Sequence, residues 1–180
     1  MAKTMKDRRV ERTRKALLDA FVSLVVERRY DQIKVGDIIE RANVGRSTFY
    51  EHYHDKDAIL AQSIQRPFAL LAQAVDVDGD AAKVRTVLEH FWSVRHASRG
   101  IFGGSARRPV ARILAAMIDD RLAARARVRG GAGPAQETRR LLALALAEAQ
   151  LGAITAWLAG EVTCTAAAMA DVIHRMAQVR

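Results

Sequence analysis

Apolar residues recur along this chain at steps of three and four, without the step of two that a half-buried strand needs, so the pattern predicts an all-α protein. Val10, Leu17, Phe21, Leu24 and Val25 mark a first helix over about residues 5–29, and "RYDQIK" breaks the pattern. Two unusually short segments follow, one holding Val35, Ile38, Ile39 and Ala42, the next holding Phe49 and Tyr53. A fourth helix starts near Asp55, a plausible N-cap, and carries Ile59, Leu60 and Ile64. Pro67 is expected to kink or interrupt it, because proline lacks a backbone donor and clashes with the preceding turn.

The second half reads in the same way. "VDVDGD" (75–80) is a linker whose Asp80 caps a helix with the stripe Val84, Val87, Leu88, Phe91 and Val94. "HASRGIFGGSARRP" (96–109) reads as a loop on account of its glycine pair. Val110, Ile113, Leu114, Met117, Ile118 and Leu122 mark a helix that "RGGAGP" ends. A long apolar helix over about 135–159 stops at Gly160, a natural left-handed C-terminal residue. Met169, Val172, Ile173 and Met176 define a last helix that starts at Thr163 or Thr165.

The polar residues alter this picture most within "KVGDIIERANVGRSTFYEHY". A helix of about eight residues ends at Asn43, which tolerates the left-handed conformation of a sharp turn. Gly45 lets a second helix begin at once, and Phe49 and Tyr53, four apart, face inward. Two short helices joined by a tight turn make a helix-turn-helix, whose second helix enters the major groove of DNA. Arg46 suits a phosphate or a guanine edge, and Ser47, Thr48 and Tyr50 offer hydroxyls to phosphate oxygens. Lys56 adds a positive side chain at the start of the next helix, where free backbone donors favour an anion.

The run "VERTRKALLDAFVSLVVERRYDQIKVGDIIERANVGRSTFYEHYHDKDAIL" resembles the N-terminal domain of tetracycline-repressor (TetR) family regulators. The spacing Ile-x-x-x-Ala/Asn-Val-x-x-x-Thr-Phe-Tyr-x-x-Tyr-x-x-Lys, from Ile39 to Lys56, carries the likeness. It implies a three-helix DNA-binding domain over 1–55 and a helical effector-binding and dimerisation domain over 56–180. It also implies a regulator, usually a repressor, that a small-molecule effector releases from double-stranded DNA. Carried over by position, the DNA contacts fall on Arg46, Ser47, Thr48, Tyr50, His52 and Lys56. The sequence departs from the family pattern at Val35, where threonine is common, at Asn43, where glycine is, and at Gly45, where serine is.

Composition and charge agree with a polyanionic partner. Half the residues are hydrophobic, and the net charge is +9 with a pI near 10.4. Residues 1–15 hold seven Lys or Arg against two acids, an arm suited to the DNA backbone or a minor groove. Eight arginines between Arg99 and Arg129 face only Asp119 and Asp120; solvated helix faces explain them better than an anionic ligand does. The single cysteine, Cys164, excludes an intrachain disulfide, fits a reducing cytoplasm and reads as a small buried hydrophobe. The N-terminal stretch lacks the apolar core of a signal peptide.

Rival chemistries find little support. His52 and His54 are two apart on a helix and point different ways, so a shared metal is not expected, nor is a cofactor. No catalytic motif or phosphate loop is present, so no catalytic residue is assigned. "LLALALAEAQLGAITAWLAG" is long enough to span a bilayer, but Glu148 and Gln150 sit at its middle, and a helix buried in a protein or dimer fits better. Phe91, Trp92, Phe102, Met117 and Trp157 are candidates for a hydrophobic ligand pocket. Leu144, Leu151, Gly152 and Ala156, with Val172 and Met176, are candidates for a four-helix homodimer interface. A protein-interaction module without DNA binding is the alternative reading, and a helical enzyme with a dispersed site a weaker one.

Overall fold

The computed structural model describes residues 5–76, 79–128 and 134–178, and among these every regular element is a helix. The chain folds as two compact units, residues 1–64 and 65–180. The division falls inside a helix, nine residues beyond the 55/56 boundary that the resemblance implies, and Lys56 at the start of that helix bonds within the N-terminal unit.

In the N-terminal unit, α1 (Met5–Glu27) is followed by a single 3-10 turn at Tyr30–Gln32, then by α2 (Val35–Ala42) and α3 (Arg46–His52). The predicted stripe of α1 is its buried face: Leu17, Phe21, Leu24 and Val25 are inaccessible or nearly so. They close over Tyr30, Ile33, Ile38, Phe49 and Tyr53 to make a small core. Phe21 meets Tyr30 edge to face, with ring centroids 6.3 Å apart. The basic run at 5–15 forms the first turns of α1, within the helix expected over 5–29; Lys and Arg are good helix formers. Residues 1–4 of that run lie outside the described residues.

The fourth helix, α4 (Lys56–Ala72), crosses the boundary between units. Asp55 caps it as expected, accepting from the Ala58 amide at 2.7 Å. Helical structure continues through Pro67, so the proline does not interrupt α4. What it removes is the amide that would bond the Ser63 carbonyl.

In the C-terminal unit, α5 (Ala81–Ser93) starts on Asp80, which accepts from the Ala82 amide at 2.9 Å. The expected loop at 96–109 is mostly helix: α6 (Arg95–Phe102) buries Ser98 and Phe102, and only Gly103–Ala106 turn. The glycine pair marked the end of this helix, not a loop throughout. α7 (Arg107–Val128) and α8 (Gln136–Ala159) form the main helix pair, and α9 (Ala166–Gln178) packs on α5 and α8. Most of the expected "RGGAGP" break, residues 129–133, lies outside the described residues, as do Val77 and Asp78 of the linker. Gly160 ends α8 with φ +85°, and the Thr165 hydroxyl accepts from the Ala168 amide at 3.1 Å to start α9.

Arginines tie these helices together. Arg107 of α7 reaches the Glu148 carboxylate at 2.6 Å and the Thr155 hydroxyl at 3.2 Å. Arg121 pairs with Asp76, and Arg125 donates to the Val75 carbonyl at 2.9 Å. Arg139 holds Asp119 at 2.7 Å in a half-buried pair, whose hydrogen bond raises the Arg139 pKa. Arg107, Arg121 and Arg125 of the Arg-rich segment are therefore ties within the unit and not freely solvated faces.

Candidate nucleic-acid interface

The turn between α2 and α3 rests on one backbone conformation. Asn43 has φ 52° and ψ 51°, left-handed, and is the only non-glycine residue with positive φ among the described residues. Its amide donates to the Glu40 carbonyl at 3.1 Å, and the Val44 amide donates to Ile39 at 3.2 Å. These bonds satisfy the last carbonyls of α2 while the chain reverses. Gly45 is extended, with φ −73° and ψ 153°, and its carbonyl accepts from the Phe49 amide at 3.1 Å, so only residues 43–45 separate α2 from α3. No side chain caps α3 there.

Phe49 is inaccessible and Tyr53 nearly so, and their rings meet at 5.9 Å, which anchors α3 by its inner face. The opposite face is free. Arg46, Ser47 and Tyr50 are exposed, Tyr50 by 50%, with Thr48 and His52 half-buried at the flanks. Tyr50 packs edge to face with Phe49, ring centroids 5.4 Å apart, while half of the residue stays exposed. Five of the six expected contact residues thus line one short helix. Glu51, exposed between them, was not among them; a carboxylate there suits the amino group of cytosine.

Lys56 is placed differently. Its ammonium donates to the Tyr30 carbonyl at 2.9 Å and the Ile33 carbonyl at 3.1 Å, and lies 4.4 Å from the centre of the Tyr30 ring. The Tyr30 hydroxyl donates to Asp57. Burial, then this bond, pushes the phenol above its usual range, so it stays protonated as a donor. Lys56 and Asp57 together fasten the start of α4 to the turn before α2.

A second fastening joins α2 to α1. The Arg41 guanidinium forks onto Glu27, at 2.8 and 2.7 Å to the two carboxylate oxygens, and donates to Ser23 at 2.6 Å. That bond, with help from Ser23, holds the Glu27 carboxyl down at about 2. Arg28 faces Asp37 at 3.6 Å alongside. The helix-turn-helix is thus pinned at both ends while its outer face stays open.

The profile of bacterial regulatory proteins of the tetR family matches residues 17–62, the unit just described. Over 64 residues, 35% of this chain, the sequence is 45% identical to YxbF of Bacillus subtilis, an uncharacterized HTH-type transcriptional regulator. Over 59 residues, 33% of the chain, it is 34% identical to DhaS of Lactococcus lactis, a transcriptional activator of the dhaKLM operon. These alignments span 17% and 32% of the two relatives, well under two thirds of either. The fold extends the likeness along the chain. A TetR transcriptional regulator of Streptococcus agalactiae superposes with a TM-score of 0.63 at 24% identity, covering 97% of this chain and 98% of that one.

Residues 17–62 are thus similar to the tetR family of bacterial regulatory proteins, and beyond them the likeness is one of fold.

As in the fold of that relative, the tetR-type reading unit is followed by a second, helical unit. The ligand candidates in this unit fall into two groups. Phe91 and Phe102 are buried and meet edge to face at 4.9 Å, joined by Phe68 at 6.0 Å from Phe102. Phe68 was missed because it follows Pro67, where the helix was expected to falter. Trp92 and Trp157 stack separately at 4.7 Å beside an open groove of about 400 Å³, with Glu89 and Cys164 on its wall. Trp92 is 42% exposed, and Cys164 is half-buried rather than sealed in a core. Met117 is half-buried on α7.

The dimer candidates also divide. Leu144, Gly152 and Val172 are exposed, and Ala156 and Met176 half-buried, whereas Leu151 is inaccessible within its own chain and presents nothing to a second copy. Leu141, exposed by 68%, Leu142, Ala145 and Ala149 extend the exposed stripe of α8. Among the described residues α8 is the one helix long and apolar enough to cross a membrane, a matter of length and composition alone. No three His, Cys, Asp or Glu side chains converge among them, and His54 lies 3.3 Å from Asp55 at the surface.

Proposed function

We propose that this protein is a DNA-binding transcriptional regulator that works as a homodimer on a near-palindromic operator and leaves it when a small molecule binds the helical unit. The observation that carries the reading is α3: seven residues, anchored by Phe49 and Tyr53 on one side, with Arg46, Ser47 and Tyr50 open on the other. An α-helix presented in this way fits the major groove, where hydroxyls position on phosphates and arginine reads guanine. The exposed apolar stripe of α8 with Val172 of α9 supports pairing of two copies, since a lone soluble chain gains nothing from such a surface. Two reading helices related by a two-fold axis would take half-sites about 34–36 Å apart, or a multiple of this. The cytoplasm is the compartment in which such a protein meets its operator.

Repression is the primary reading, because a bound dimer excludes other proteins from its site without any further surface. Activation is the second, favoured by the match of the reading unit to DhaS, which is named as an activator. A ligand releases DNA only through its different affinity for the competent and incompetent states.

The test is selection of genomic fragments from the source organism by the purified protein and by Tyr50→Ala. Tyr50 is the right residue to truncate because it is half exposed on the open face of α3, whereas Lys56→Ala would also release the Tyr30 and Ile33 carbonyls. Enrichment of a palindrome by the parent, lost in Tyr50→Ala at unchanged thermal stability, is the expected result. Equal enrichment by both proteins would remove Tyr50 from the interface. Absence of salt-dependent DNA affinity in the parent would favour the interaction-module alternative.

A further inference from the structure

Gln150 lies in the middle of α8 and is 1% exposed. Neither its amide nitrogen nor its amide oxygen has a hydrogen-bond partner. Along the helix it shares its face with Ala143, Ala147, Ile154 and Trp157, all buried. Buried polar groups in folded proteins are nearly always paired, and an orphan amide opposes folding. Nearby Thr155 shows the usual solution, its hydroxyl donating to the Leu151 carbonyl at 2.7 Å. Gln150 does not use it.

The helices that meet this part of α8 bring aromatic rings. α5 touches it through the Trp92–Trp157 stack, and α6 where Gly103 approaches Thr155, close enough that a β-carbon there would lie 3.5 Å from the Thr155 methyl. Those helices carry Phe91 and Phe102, packed with Phe68. Ser98 is the other buried polar residue among those described, and no charged residue is fully buried.

We propose that Gln150 is the hydrogen-bonding anchor of an effector site in the helical unit, selecting a neutral, largely apolar molecule that presents a donor and an acceptor side by side. A primary carboxamide or a lactam has that edge, and it pairs both orphan atoms at once. A charged ligand is disfavoured, because the guanidinium that reaches this stretch of α8, Arg107, is already neutralised by Glu148. Trp157, on the same face of α8, and Trp92 stacked on it supply apolar contact for the rest of the molecule. This inference rests on the effector-release reading and specifies the chemistry that triggers it.

Gln150→Met tests it, since methionine keeps the length of the side chain and removes both polar atoms. The ligand-free variant should melt about 2–6 °C above the parent, as expected when an orphan amide is removed. The probes are benzamide and α-methylstyrene, which have the same shape with and without the amide edge. Benzamide should raise the melting temperature of the parent more than α-methylstyrene does, and the order should reverse in the variant. A variant that melts at or below the parent would overturn the proposal, as would equal or absent responses of the parent to the two probes. DNA affinity measured alongside separates the two readings. If benzamide binds through Gln150 and leaves DNA binding unchanged, effector release fails and the site stands. If a compound extracted from source cells frees the parent and Gln150→Met from DNA alike, the site fails and effector release stands.

Discussion

Asn43 and Gly45 set the turn of the reading unit by different means. Left-handed backbone costs an ordinary L-residue about 1–2 kcal/mol, and Asn less, so Asn43→Ala should destabilise the unit by about 1 kcal/mol while Asn43→Gly stays near neutral. Urea unfolding of the two variants checks this, and equal losses would mean that the Asn side chain has another duty. Gly45 has ordinary negative φ, and a β-carbon there would sit 3.6 Å from the Thr48 hydroxyl, an unstrained contact. Gly45→Ser should therefore add the missing cap and stiffen the unfolded chain less wastefully, for a gain of about 0.5 kcal/mol in the same assay. These positions were legible in the sequence, as were Asp55, Asp80 and Gly160, because caps and turns are decided by residues a few places apart. The Lys56 contacts were not. Its partners are carbonyls more than twenty residues earlier, and nothing local announces them.

At the scale of elements, the fork of Arg41 onto Glu27 joins α2 to α1 and has a defined pH signature. The Glu27 carboxyl titrates at about 2 in the folded chain against 4.5 as a free group. Its contribution is therefore complete above pH 4.5 and disappears as the pH falls toward 2. Wild type should exceed Glu27→Gln in stability at pH 6, and the two should converge between pH 4.5 and pH 2. A constant difference across that range would detach the fork from the stability of the reading unit. Helix boundaries were read well wherever an apolar stripe ran for several turns, as in α1, α7, α8 and α9. α6 escaped because eight residues with two glycines close by and a single large inward ring, Phe102, give too little periodicity. Pro67 misled in the opposite direction, since one missing amide does not break a helix held by Phe68 and Leu71 on its buried face.

For the whole molecule, the exposed stripe of α8 poses the main question. Gly152 lies on it, and a β-carbon there would meet nothing within 4 Å in its own chain. Gly152→Glu should leave the protomer folded, even stabilised by about 0.5–1 kcal/mol through helix propensity, and place bulk and charge where a second copy would pack. Sedimentation should then find a monomer, with operator affinity reduced at least tenfold. A dimer of unchanged strength would move the interface off this face. The sequence marked α8 as too apolar for a small domain, yet it could not separate Leu151, turned inward, from Leu144, turned outward. Nor could it reveal Gln150 as unpaired, because pairing depends on what the other helices bring to it.

The uncovered leucines of α8 also bear on dosage. If the proposed homodimer is the form that grips DNA, binding responds to the abundance of the chain in second order at low concentration. Halving the supply would then cut site occupancy by nearly four, not two. Control by such a protein would sharpen or collapse with small changes in its own expression, before any small molecule is considered.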